Sequence, residues 1–310
     1  MPESEPRAEG AARSFAIAGR ALSAPAAAPG LYVVATPIGN LGDITVRALE
    51  TLSAADLVAC EDTRVTRVLL DRYAIRTKLV AYHEHNAARM RPRLLEDLAE
   101  GRSIALVSDA GTPLISDPGY RLVVDAAAAG HRVVPIPGAS ALLSALVTAG
   151  LPTDAFLFAG FLAPKSAARR RRLAELTRIP ATLVFYESPR RLGECLADMA
   201  ETLGADRPAA VARELTKLHE TVVRGPLSEL AATFAGDPPR GEIVIAVGPP
   251  GEIAADPDDV DRLLAEALAR LPVGAAASEV AKATGADRRA LYRRALDLKG
   301  ASEPDGSDDG

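Results

Sequence analysis

Four titratable residues stand in two short clusters, Glu61-Asp62 and His83-Glu84, each closing an aliphatic run, Leu57–Cys60 and Leu79–Tyr82. Carboxylates and an imidazole at the ends of strands can act as general acids or bases. They belong to a series of loops dense in Gly, Pro, Thr, Ser and Asp: Thr36–Asn40, Glu61–Arg64, Tyr82–Asn86, Ser108–Gly119 and Pro135–Ala141. The fourth has twelve residues, where connections between a strand and the next helix usually need about 2–6. In open parallel sheets the carboxyl ends of the strands carry the ligand site, so five such loops point to one large site.

The same residues restrict the chemistry. His83 and His85 would share one face of a strand, yet the spacing supplies no third ligand, and no metal site is expected. No Gly-x-Gly occurs in the chain, which removes the dinucleotide fingerprint, and no Gly-Lys-Ser/Thr phosphate loop is present.

The elements that must position these loops follow from periodicity. Short apolar or β-branched runs at Leu31–Ala35, Leu57–Cys60, Leu79–Tyr82, Ile104–Ser108 and Arg132–Ile136 alternate with amphipathic segments at Ile44–Ala54, Arg64–Tyr73, Ala87–Ala99 and Gly119–Ala129. That alternation predicts βαβ units and a mostly parallel sheet. After a break near Gly150–Asp154, strand runs at Phe156–Phe161, Thr182–Tyr186, Ala209–Arg213, Glu220–Gly225 and Glu242–Val247 predict a smaller mixed sheet. A Pro/Gly/Asp linker at Pro249–Asp258 precedes three helical segments, Asp259–Leu271, Ala275–Thr284 and Asp287–Leu298, spaced like a small helix-turn-helix unit. The division is therefore residues 1–29 as a disordered tail, 30–152 and 153–250 as two α/β domains, 256–298 as a helical unit, and 299–310 as a disordered acidic tail.

The chain of 310 residues is 48% hydrophobic and 25% charged but only 4% aromatic, so its cores must be aliphatic. Two uncharged stretches, Ala21–Gly42 and Val133–Thr153, each carry three prolines, which argues against membrane spans. With no secretory signal pattern and two distant cysteines, Cys60 and Cys195, read as reduced and buried, a cytoplasmic location is expected. Net charge is −5, but Lys165–Arg191 holds eight basic and two acidic residues and Lys282–Lys299 six and two. Local basic patches of this kind suit phosphate contacts: Lys165, Arg169, Arg170, Arg171 and Arg172, then Arg190 and Arg191, then Arg288, Arg289 and Arg293 with Tyr292 on the last helix.

The run LYVVATPIGNLGDITVRAL at Leu31–Leu49, CEDTR at Cys60–Arg64, YHEHN at Tyr82–Asn86, SDAGTPLISDPG at Ser108–Gly119 and PGASA at Pro137–Ala141 resemble the tetrapyrrole methylase superfamily, and within it the ribosomal RNA small subunit methyltransferase I family. GFL at Gly160–Leu162, FYESPRR at Phe185–Arg191, ARELTKLHE at Ala212–Glu220 and GEIVIAVG at Gly241–Gly248 extend the likeness, which spans Gly30 to Leu298.

The resemblance implies two α/β domains with S-adenosylmethionine in the cleft between them, a helix-turn-helix extension, a homodimer, and methylation of the ribose 2′-hydroxyl of a cytidine in the decoding region of 16S rRNA within the small ribosomal subunit. Carried over by position, it places the cofactor against Pro37, Asp109, Gly111, Thr112, Pro113, Ser116, Ser140 and Ala141, with Tyr186, Leu215 and Ile243 forming the adenine pocket. The superfamily has Gly-Asp-Pro where Gly111-Thr112-Pro113 stands, so one carboxylate is missing here. Glu84 is favoured as the proton acceptor, with Glu61, Asp62 and His83 as the other candidates. Two readings stay open beside this one: a tetrapyrrole or diphthamide-precursor acceptor on the same fold, and a non-catalytic, ligand-sensing regulator that binds DNA through the terminal helices.

Overall fold

The computed structural model describes residues 13–116, 119–251, 257–284 and 286–301. It opens on a hairpin, β1 (Ser14–Ile17) paired antiparallel with β2 (Arg20–Ser23), which corrects the expectation that residues 1–29 are disordered throughout. Ala18 and Gly19 both take positive φ, the geometry that matches a two-residue turn to the twist of its strands. Phe15 provides the physical reason for order: it is buried in the core beside Tyr32, Leu49, Leu52 and Tyr73.

The first domain then runs β3 (Gly30–Val34), α1 (Val46–Ala54), β4 (Leu57–Cys60), α2 (Thr63–Arg72), β5 (Leu79–Ala81), α3 (Ala87–Ala99), β6 (Ser103–Leu106), α4 (Tyr120–Ala128), β7 (Val133–Ile136) and α5 (Ala141–Thr148). Its five strands form a parallel sheet in the order β5-β4-β6-β3-β7. β3, β4 and β6 are buried almost throughout because helices cover both faces, which is why their sequences read as unbroken aliphatic runs.

The second domain comprises β8 (Phe156–Phe161), α6 (Ser166–Leu176), β9 (Thr182–Glu187), α7 (Leu192–Leu203), β10 (Pro208–Arg213), β11 (Thr221–Pro226), α8 (Leu227–Thr233) and β12 (Ile243–Val247). The order is β11-β10-β12-β9-β8, with β8 and β9 parallel and every other pair antiparallel. This sheet is mixed as expected, but with five strands it is no smaller than the first.

α5 leaves the first sheet and packs on β9 and β12, so Leu142, Ala145 and Leu146 share a buried cluster with Ile38, Val184, Ala212, Leu215 and Val244. That cluster joins the domains beneath the site. α9 (Pro257–Leu268), α10 (Val273–Thr284) and α11 (Arg288–Ala301) form the helical unit around Leu264, Ala276, Ala277, Val280, Leu291 and Ala295. α11 reaches beyond residue 298, so the beginning of the expected acidic tail is helix; residues 302–310 lie outside the described residues.

Candidate functional site between the two sheets

All five loops singled out by sequence leave the carboxyl ends of the first sheet, and hydrogen bonds tie them into one surface. Thr36 and Gly111 exchange backbone hydrogen bonds, Thr36 N–H donating to Gly111 O at 2.8 Å and Gly111 N–H to Thr36 O at 3.1 Å. The Thr112 hydroxyl donates to Ala139 O at 3.2 Å, joining the fourth loop to the fifth. Asp109 accepts from the Asp62 N–H at 2.9 Å, joining the fourth to the second. Asp62 itself caps α2 and pairs with Arg64, whose guanidinium holds the Asp62 carboxyl at about 2. Asp62 is thereby a poor proton acceptor. His83 does not continue β5 but begins a turn fixed by Asn86, whose side chain accepts from His83 N–H and donates to Ala81 O. His83 and His85 therefore do not share a strand face, and among the described residues no group of three or more metal-binding side chains occurs.

Three cavities open on this surface. The cleft between the domains, about 340 Å³, is lined by Gly111, Thr112, Ser116, Ser140 and Ala141 from the first and by Tyr186 and Ile243 from the second. Seven of the eleven residues carried over for the cofactor thus meet in one place. Pro37 and Asp109 line a side cavity of about 330 Å³ that touches the cleft at Ile38 and Ala110. Leu215 lies in the apolar layer joining the domains, and Pro113 is buried within the loop and lines neither cavity. Phe161 went unnoticed in sequence although it packs edge-on to Tyr186 at 5.6 Å in the cleft; its GFL motif was the available signal.

The backbone is strained where the cleft is closest. Leu114 and Ser116 have φ of +73° and +66°, conformations that cost L residues about 1–3 kcal/mol and persist only under tight surrounding structure. β8 bulges between Phe158 and Gly160, and a Cβ on Gly160 would stand 3.6 Å from the Ser116 hydroxyl. On the cleft wall, a Cβ on Gly111 would come within 3.2 Å of Ile38. Glycine at 111 lets backbone rather than side chain face the space.

Beyond Ser116 lies the largest of the three, about 580 Å³, lined by Glu61, Glu84, Arg91, Ser116, Tyr120 and Arg121 among others. Ser116 is common to this cavity and the cleft. Glu61 is half-buried, and that burial, reinforced by the negative charge of Asp109 and opposed by His83, pushes its carboxyl above the usual range. Glu84 stands exposed in the turn after β5.

The arginine run is the main correction. Arg169 is 1% exposed, with its Nε 2.6 Å from Asp198 Oδ2 and its Nη1 donating to Pro164 O, so it holds α6 to α7 and cannot meet a phosphate. Arg170 pairs with Asp198 and Glu201, and Arg172 with Glu175. Arg191 is held by Glu187 at 2.6 Å and by the Ser188 hydroxyl, which makes it a support for the loop after β9 rather than a surface cation. Lys165, Arg171, Arg190, Arg288, Arg289 and Arg293 are exposed. Cys60 and Cys195 are free and buried, and burial raises both thiols.

A parallel α/β domain and a mixed one enclosing a cleft at the strand ends define the class. The model for tetrapyrrole (corrin/porphyrin) methylases matches residues 30–231 and one for the RsmI C-terminal HTH domain matches 254–299. The chain belongs, within that class, to the ribosomal RNA small subunit methyltransferase I family: a protein of that name from Mesorhizobium japonicum is 60% identical over 280 residues, covering 90% of this chain and 95% of the relative. Among solved structures, diphthine synthase aligns with a TM-score of 0.56 at 18% identity over 70% of this chain and 89% of that one. A uroporphyrin-III C-methyltransferase from Thermus thermophilus, complexed with S-adenosylhomocysteine, aligns with a TM-score of 0.50 at 20% identity over 70% and 96%.

Proposed function

We propose that the protein uses S-adenosylmethionine to methylate the ribose 2′-hydroxyl of a cytidine in the decoding region of 16S rRNA. The observation that carries the reading is the meeting of two cavities at Ser116, one apolar with polar edges and one lined by carboxylates. Family membership names the substrate class: the Mesorhizobium relative is a ribosomal RNA small subunit methyltransferase.

The cleft residues fit the methyl donor. Tyr186, Phe161 and Ile243 offer an apolar wall for an adenine, while Thr112, Ser116 and Ser140 with the backbone at Gly111 offer the hydrogen-bonding groups an amino acid moiety needs. When bound, the sulfonium supplies an already activated methyl group, so the chemistry calls for no metal. What remains for the protein is alignment and proton removal. The loops fixed through Thr36–Gly111 and Thr112–Ala139 hold the alignment. Glu61 in its ionised form accepts the hydroxyl proton at a carboxylate oxygen; its half-buried place at the end of β4 favours it over the exposed Glu84.

Exposed Lys165, Arg171, Arg190, Arg288, Arg289 and Arg293 supply phosphate contacts to the rRNA. The reading includes a homodimer working in the cytoplasm; no helix among the described residues is long and apolar enough to cross a membrane. Incubating purified protein with labelled S-adenosylmethionine, chelator and small subunits lacking the modification tests the reading. Label in the rRNA is the expected result, and label absent from rRNA despite donor binding would refute it.

A further inference from the structure

The 580 Å³ cavity carries groups that proton transfer does not need. Tyr120 opens α4 and is 69% exposed at the cavity wall, while Leu122 and Ala126 on the same helix are fully buried against the sheet. An aromatic ring left this open at the first turn contributes little to the core. Beside it Arg121 is exposed, and Arg91 of α3, which also lines the cavity, is held by Asp125 of α4 at 2.8 Å while still 24% exposed. Glu61 and Glu84 line the same space.

These groups match the three parts of one nucleotide: an aromatic face for the base, guanidinium groups for phosphates, and carboxylates for ribose hydroxyls. The volume lies within the roughly 300–1,000 Å³ of sites for small ligands, which excludes a duplex. The side cavity offers no comparable set. Val65, Val68, Leu69 and Leu41 dominate it, and Lys217 and Glu242 stand at its edge already paired with each other.

We infer that this cavity receives a single unpaired RNA nucleotide, with Tyr120 stacking on its base and Arg121 and Arg91 meeting the adjoining phosphates. The inference rests on the proposed function and deepens it: the target must be single-stranded or turned out of its helix before transfer, because a base stacked inside a helix has no free face to offer the ring of Tyr120. Ser116, shared with the donor cleft, then stands between donor and acceptor.

The test measures methyl transfer to unmodified small subunits by the wild type and by Tyr120→Ala, Tyr120→Phe and Arg121→Ala, with donor affinity measured separately by calorimetry. Loss of a base–aromatic stack of about 1–3 kcal/mol corresponds to a rise in the subunit KM of roughly five- to 150-fold for Tyr120→Ala. Tyr120→Phe keeps the ring and should stay within about twofold of the wild type on the same principle. Arg121→Ala should raise KM and flatten its log-log salt dependence by about one unit. Donor affinity should be unchanged in all three. An unmoved subunit KM in Tyr120→Ala with an active wild type overturns this inference alone, as does a Phe variant no better than Ala. A wild type that transfers nothing to the subunit overturns the proposed function and this inference together.

Discussion

Lys217 of the second domain lies across Gly39 of the first, so close that a Cβ on Gly39 would fall 2.4 Å from the lysine Cγ. Its Nζ reaches Glu214 at 2.8 Å and Glu242 at 3.1 Å, so the first loop is clamped beneath a paired cation. Burial pulls the Lys217 ammonium down, but the two carboxylates outweigh it and raise it, while Lys217 and the Glu242 N–H together lower Glu214.

Because both partners are partly exposed, Lys217→Ala should cost no more than about 1 kcal/mol. The sign of its pH dependence follows from the two shifts. Glu214, lowered on folding, stabilises above its ordinary value of 4.5 and loses that contribution as pH falls through the folded value. Lys217, raised on folding, stabilises below its ordinary 10.5 and loses the contribution only as pH rises through the folded value. Denaturant melts of wild type and variant should differ by a constant amount around neutrality and converge in acid. A difference that grows in acid would contradict the clamp.

Arg169 and Arg171 stand two positions apart on α6 and should behave oppositely. Arg169→Ala removes the buried partner of Asp198, which keeps only the exposed Arg170 and the Ser166 hydroxyl, and should cost up to about 3–5 kcal/mol. Arg171→Ala should leave stability unchanged and raise the subunit KM. Thermal melts and methyl-transfer kinetics on both variants separate the roles, and equal stabilities would show that the Arg169–Asp198 pair is dispensable.

The contrast shows what was legible. In the parallel domain, Leu57–Cys60 and Ala87–Ala99 match strand and helix because buried strands are aliphatic and helix periodicity is strong. The loops were legible too, since Gly111, Thr112 and Ser140 sit where a sheet must open. Arg169 was not, because four arginines in a row look solvated. Yet Arg169, Leu173 and Leu176 share one helical face at spacings of four and three, all buried, and that period was the missed signal. The hairpin is illegible for another reason: four-residue strands flanked by Ala and Pro carry too little alternation, and only Phe15 is fully buried, with Ile17 partly so. Lys217 stands in the ARELTKLHE motif, but its contact with Gly39 was not legible, since it arises from two domains meeting.

Phe15→Ala should cost about 3 kcal/mol or more, as expected for emptying a buried aromatic site. Chemical denaturation measures it. A loss below about half a kcal/mol, the range of surface changes, would return the hairpin to the status of an appendage.

The proton acceptor is tested by rate against pH. Burial, with Asp109 and Asp62 adding repulsion and His83 opposing it, raises the Glu61 carboxyl, so single-turnover methylation should climb as pH rises through its titration. Glu61→Gln should remove that limb and slow transfer by about 10²–10⁴-fold, while Glu84→Gln keeps it. The reverse pattern would assign the role to Glu84.

Mass spectrometric mapping of small-subunit rRNA after incubation with the protein and S-adenosylmethionine tests the central claim most directly. The account predicts one methyl group on the ribose of a cytidine in the decoding region, formed in the presence of chelator and formed about 10²–10⁴-fold more slowly with Glu61→Gln. A methyl group on a base, on a non-cytidine residue, or on no RNA at all would contradict it.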